Sequence, residues 1–125
     1  LLLELQPSQL YISREKLNDL QSKIDCTQPE NIPPIPIKFL DEKWVMTDGH
    51  TRAFAAHLAG LDLVPTVVEE DELDWDAYRI CVTWCQDTGV EQISDLKSRV
   101  IGSDAYEKLW IARCKSMQDD LASQR

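Results

Sequence analysis

Within the five residues Asp48-Gly49-His50-Thr51-Arg52 the chain sets a carboxylate, an imidazole, a hydroxyl and a guanidinium around one glycine. Arg52 is charged at any relevant pH and presents a fork matched to phosphate oxygens. Thr51 offers a hydroxyl and His50 a switchable donor. Gly49 lets a ligand approach the backbone closely and tolerates positive φ. If a helix starts here, its first amides have no partner inside it and lie at the positive end of the macrodipole. Such a cluster is a seat for phosphate. The same letters also admit a structural account, in which Asp48 and Thr51 cap a helix, Gly49 makes a turn and Arg52 pairs with a surface carboxylate.

The elements that must position this cluster are legible on either side of it. Trp44-Val45-Met46 reads as a strand, Asp48-Gly49 as a turn, and Ala53 to Ala59 as a helix stopped by Gly60. Before it, Ile35, Ile37 and Phe39 alternate with Pro36 and Lys38, the period of a half-buried strand, with Pro36 marking an edge. The polar break Leu40 to Lys43 predicts an antiparallel hairpin between these two strands. Leu63 to Val68 predicts a further strand. The order strand, turn, helix, strand is βαβ-like, with the turn at the C-terminal end of a strand, where ligands of α/β sheets bind.

Outside this centre, Leu1 to Leu5 suggests a short strand ended by Gln6-Pro7-Ser8. Ser13 predicts the N-cap of a helix to about Ile24, with Leu17, Leu20 and Ile24 on one face and Arg14, Glu15, Lys16, Asp19 and Lys23 on a solvated one. Four prolines between Thr27 and Pro36 predict an extended connector. Beyond residue 70 helices are expected throughout. One is capped by Asp74, runs to about Thr88 along Ala77, Ile80, Cys81, Trp84 and Cys85, and ends at Gly89. A shorter one covers Gln92 to Val100. The last is capped by Ser103 and carries Tyr106, Trp110, Cys114, Met117 and Leu121. Glu69 to Glu72 reads as a solvated acidic loop. The tryptophans read as core, with Trp75 the one candidate for stacking on a base.

Composition narrows the function. The 125 residues suit one domain with its own core, read as an α/β part over 1–70 and a helical extension over 71–125 packed on it. With 22 Asp and Glu against 13 Lys and Arg the net charge is −9, which argues against nonspecific nucleic-acid binding. A small anion is still admitted, because charges are screened over about 10 Å. No apolar run is long enough to span a bilayer, so no membrane partner is expected. Cys26, Cys81, Cys85 and Cys114 lack metal-ligand spacing and read as free buried thiols in a reducing, cytoplasmic compartment.

The run D-G-H-T-R at 48–52, A-F-A-A-H-L-A-G-L at 53–61 and V-P-T-V-V at 64–68 resembles the ParB N-terminal/sulfiredoxin superfamily. With L-Q-P-S-Q-L at 5–10, the Ser13 helix and the strand from Ile35, the resemblance covers about residues 3–70. It implies an α/β (α+β) fold with a small mixed sheet and a nucleotide held by its phosphates at Gly49, His50, Thr51 and Arg52. Sulfiredoxins carry G-C-H-R, and His50 stands where their cysteine would be. ParB proteins carry G-E-R-R and a basic helical domain, whereas this tail is acidic. The D-G-H-T-R spelling is similar to the free-serine kinase branch. That likeness implies ATP or ADP with Mg²⁺, a small hydroxy compound as acceptor, Asp48 and His50 as catalytic residues, and Asp48 as a Mg²⁺ ligand. The branch's glutamate base in L-x-P-x-E corresponds to Gln9 on the substrate side, and an amide cannot take that proton. Three expectations follow: a small-molecule kinase, a nucleotide-binding module without turnover that senses or switches, or an interaction domain with a degenerate pocket. A homodimer is compatible with each.

Overall fold

The hairpin that ends at the D-G-H-T-R turn is the centre of a mixed sheet. The structure, a computed structural model, describes residues 1–125. Strand β1 covers Ile12–Ser13, helix α1 Arg14–Lys23, β2 Ile35–Leu40, β3 Lys43–Met46, α2 His50–Leu58, β4 Thr66–Val68 and α3 Trp75–Asp87. Strand β5 covers Val100–Ile101, α4 Ser103–Tyr106 and α5 Ala112–Gln124, with a π-helical turn at Glu107–Ile111 joining the last two. No helix is long and apolar enough to cross a membrane. The fold is of mixed α and β content.

β2 pairs antiparallel with β3, Ile37 opposite Met46 and Leu40 opposite Lys43, through the two-residue turn Asp41-Glu42. Both turn residues are left-handed, with φ of 50° and 68°, the twist that tight hairpins require but reach more easily with Asn or Gly. On its other side β2 pairs parallel with β4, Ile35 opposite Thr66. β2 is therefore central, not an edge as Pro36 suggested. Pro36 is tolerated because its missing N–H faces the β3 side beyond the last ladder pair, where its carbonyl accepts from the Thr47 amide at 3.0 Å. The crossover accordingly runs from β2 to β4 and carries β3 and α2 with it. β3 and β4 themselves are not the parallel pair of a βαβ unit, and β4 is exposed along its length.

The N-terminal segment also departs from expectation. Leu2–Glu4 is a 3-10 turn rather than a strand, and the pairing lies at Gln6, whose amide donates to the Trp44 carbonyl at 2.8 Å and whose carbonyl accepts from Met46 at 3.0 Å. This single bridge carries Ser8 and Gln9 to the C-terminal end of β3. α1 starts as read, with the Ser13 hydroxyl accepting from the Lys16 amide.

The later chain is helical except at one point. Ile93–Arg99 forms a 3-10 helix, not an α-helix, opened by a reciprocal Gln92–Asp95 capping box, and it runs into β5, which pairs parallel with β1. The β-branched pair Val100-Ile101 favours that strand over another helical turn. Gly102 rather than Ser103 is the N-cap of α4, and Ser103 is already helical. α3 follows its expected stripe: Ala77, Cys81 and Cys85 are buried, Asp74 accepts from the Ala77 amide, and left-handed Gly89 follows its end. Phe54, Leu10, Ile12, Ile35, Met46 and Leu96 lie at the centre of the core. Ala53, Ala55 and Ala56 keep the buried face of α2 small, so it sits close to α1 and the 93–99 turn. All four cysteines are free.

Candidate functional site

The start of α2 is open. Gly49 occupies its N-cap position at φ 76°, and no side chain caps the helix. The first amide with an internal acceptor is that of Ala53, bonded to the Gly49 carbonyl at 2.9 Å, and those of His50, Thr51 and Arg52 have no partner in the protein. The Asp48 carboxylate turns onto the Gly49 amide at 2.8 Å, one residue ahead of these three. Asp48 thus shapes the turn and leaves the helix end uncapped.

Arg52 is held beside that end from two directions. Its Nη1 donates to the Pro34 carbonyl at 3.0 Å and to the Pro33 carbonyl at 3.3 Å, so the rigid proline connector sets where the guanidinium lies. The other face of the group rests on Gly49. A β-carbon there would stand 2.8 Å from Nη2 and 3.1 Å from Cζ. Glycine at 49 is needed twice, for its positive φ and for this approach.

His50 is 4% exposed, and its Nε2 accepts from the Ser8 amide at 2.9 Å. Burial lowers its pKa from 6.5 to about 4, with the Asp48 charge opposing the shift. The sequence offered a switchable donor. The structure makes His50 a neutral imidazole at pH 7 with its proton fixed on Nδ1, because an amide already occupies Nε2. Nδ1 has no partner in the protein.

These groups line a hollow of about 200 Å³ that brings together every residue proposed for the site, Gln9, Asp48, Gly49, His50, Thr51 and Arg52, and adds Lys16 and Tyr106. The sequence placed Lys16 on a solvated face and Tyr106 in an apolar stripe. Nothing in the local pattern marks Lys16, since only the packing of α1 turns it toward the hollow. Tyr106 carried the one available hint, a polar tip on an otherwise apolar stripe. Gln9 donates from Nε2 to the Tyr106 hydroxyl at 2.9 Å and to the Tyr11 carbonyl at 2.8 Å, which leaves its Oε1 as a free acceptor of known orientation. Burial raises the Tyr106 hydroxyl to about 12, so it stays protonated and can donate. The hollow therefore holds two cations, three free amides, a phenolic O–H and one carboxylate. A set of donors like this suits anionic oxygen.

A second hollow, of about 300 Å³, lies between α3 and α5 and shares Gln9 and His50 with the first. Tyr78, Trp110, Met117, Cys81 and Cys114 form its apolar part. Trp75, the tryptophan singled out for base stacking, lines neither hollow. It lies against Tyr78 with the Lys38 ammonium 5.0 Å over its ring, whereas Trp110 lines the second hollow. A roomier cleft, about 600 Å³ between α1 and α4, shares Lys16 and Tyr106 with the first hollow, but there Glu15, Asp19 and Glu107 outnumber the one cation and disfavour an anion.

As for a cation, no three His, Cys, Asp or Glu side chains converge to bind a metal with protein ligands alone. Mg²⁺ does not demand such a cage, because it keeps waters and takes phosphate oxygens beside one or two carboxylates. Asp48 can supply one. The chain matches no protein-family profile, no curated protein and no solved structure.

Proposed function

We propose that this protein binds a nucleotide by its phosphates at the N-terminus of α2. One observation carries the reading: three consecutive unpartnered amides, 50 to 52, open into a concave site beside the Arg52 guanidinium. Hydrogen bonds to charged groups contribute about 1.5–3 kcal/mol each. A phosphate accepts several of them at once. The net charge of −9 weakens long-range attraction, but Arg52 and Lys16 outnumber Asp48 locally. The resemblance of residues 3–70 to the ParB N-terminal/sulfiredoxin superfamily supports the same ligand class.

A second reading, phosphoryl transfer to a small hydroxy compound such as free serine, draws on Asp48, whose carboxylate lines the same hollow. In-line transfer needs held phosphates, a neutralising cation and an oriented acceptor hydroxyl. Residues 50–52 would hold the phosphates, and Asp48 would hold the Mg²⁺, which supplies charge neutralisation when bound. Gln9 would orient the acceptor through Oε1 without taking its proton, and His50, neutral and wedged on Ser8, would donate to the transferring group. Gln9, an amide where the acceptor's base would stand, favours binding without turnover.

Calorimetric titration with ADP and ATP in Mg²⁺ tests the first reading: binding is expected, and Arg52→Ala should weaken it at least tenfold. Neither nucleotide binding the intact protein would overturn it. A coupled assay with ATP or ADP against serine tests the second, and no phosphorylated product with either donor would remove it.

A further inference from the structure

The two hollows differ in chemistry and meet at two side chains. The one at α2 is cationic and rich in N–H donors. The one between α3 and α5 is walled by Tyr78, Trp110 and Met117, and at about 300 Å³ it lies at the low end of the range of small-molecule pockets, about 300–1,000 Å³. Gln9 and His50 line both. Each of these two side chains keeps one polar atom that the protein does not use. On His50 it is Nδ1–H, a donor, because the Ser8 amide holds Nε2. On Gln9 it is Oε1, an acceptor, because both protons of Nε2 are taken by Tyr11 and Tyr106. One unused donor and one unused acceptor, on two side chains that line the same two hollows, complement a hydroxyl group, which accepts from the first and donates to the second.

We infer that the two hollows are one composite site for a molecule with three parts in a fixed order. A phosphate or diphosphate sits at α2, a hydroxyl-bearing link lies between Gln9 and His50, and a flat, largely apolar ring enters between α3 and α5. A nucleoside diphosphate has this order of parts. The inference rests on the phosphate reading above and adds that helices beyond residue 70, which carry no resemblance, hold the ring. Tyr78 and Trp110 supply its aromatic wall. Tyr78 is fixed by its hydroxyl, which donates to the Thr47 carbonyl at 2.8 Å, and Trp110 is fixed edge-on to Trp84 with ring centres 6.1 Å apart. A wall of two fixed aromatic rings loses little side-chain entropy on binding. The half-buried Cys114 thiol lies in the same wall and reports on occupancy.

The test compares pyrophosphate, which has the first part alone, with ADP and CDP, which have all three, by calorimetry on the intact chain. It is joined to mass-spectrometric mapping of Cys114 alkylation by iodoacetamide. The expected result is that a nucleoside diphosphate binds at least ten times more tightly than pyrophosphate and slows alkylation of Cys114 severalfold, while saturating pyrophosphate leaves the rate unchanged. Ala77→Met, which pushes a side chain into the second hollow, should weaken ADP or CDP at least tenfold and pyrophosphate less than twofold. If that variant does not fold, the alkylation comparison on the unaltered protein carries the test. Should pyrophosphate bind as tightly as both nucleotides, with Cys114 equally reactive in all three, the composite site is wrong and the phosphate seat stands. If no compound binds, the phosphate seat falls too.

Discussion

Helices α2 and α3 begin at the rim of the same pair of hollows and begin in opposite ways. At α3 the Asp74 carboxylate takes the Ala77 amide at 3.2 Å, and the Arg125 guanidinium closes over it at 2.7 Å. Those bonds, Arg125 first, hold the Asp74 carboxyl below its usual range. The positive end of that helix is answered by the protein's own acids. At α2 a glycine stands in the cap position, the first turn has no acid, and the nearest carboxylate is spent on the amide before the helix. In a chain with 22 Asp and Glu, acids to cap it with were abundant. The contrast separates a helix start that is finished within the fold from one that the fold leaves open.

The sharpest way to break the contrast is to give α2 the cap that α3 has. Gly49→Asp places a carboxylate against Arg52 and in the path of a phosphate, and nucleotide binding measured by calorimetry is expected to fall about a hundredfold or more, as charge-assisted bonds are lost and a like charge is added. Thermal unfolding run alongside separates this from unfolding. Retained binding would show that the open end is not the seat.

The next effect belongs to His50, which stands neutral at the first helical position of α2. Its pKa in the folded chain, about 4, lies below the ordinary 6.5. The unfolded chain therefore binds the proton more readily, so the stabilisation is complete above pH 6.5 and is lost as pH falls toward 4. The size is about 3 kcal/mol at most, at about 1.4 kcal/mol per pH unit. Denaturant unfolding of the ligand-free protein between pH 7 and pH 4 should show this slope, and His50→Gln should flatten it. An unchanged slope in the variant would place the pH dependence elsewhere.

Uncapping α3 should do less and do something different. Asp74→Ala is expected to lower stability by about 1 kcal/mol, the usual worth of an N-cap, with nucleotide affinity changed less than threefold. A large loss of affinity would mean that Asp74, which also lines the second hollow, touches the ligand. Smallest of all is Arg125→Ala. It removes the exposed ion pairs to Asp74 and Asp76 and should shift stability by no more than about 1 kcal/mol in urea unfolding at moderate salt.

Local chemistry made much of this legible without coordinates. Ser13 and Asp74 were readable as caps because a short oxygen-bearing side chain ahead of an apolar stripe has few better uses. Gly60 and Gly89 were readable as helix ends, and the polar pair between Leu40 and Lys43 as a hairpin. The departures share a cause. Pro36 pointed to an edge because a missing donor usually belongs there, and only the register against β3 put its nitrogen beyond the last ladder pair. Val100-Ile101 became a strand because β1 lay alongside to receive it. Ser103 lost its cap role because the chain reached Gly102 already extended.

For the site, the division is between which groups could act and what state they act in. Residue types from Asp48 to Arg52 determined that a turn with donors suited to an anion was available, since a glycine, a guanidinium and a helix start offer such donors in any fold. Tertiary structure decided the rest. Burial and the Ser8 amide made His50 a fixed donor. The proline connector aimed Arg52. The packing of α1 and α4 brought Lys16 and Tyr106 to the same hollow, and α3 and α5 built a second one beside it. Dielectric, hydrogen-bond partner and distance are properties of neighbours remote in the chain, and no reading of adjacent letters contains them.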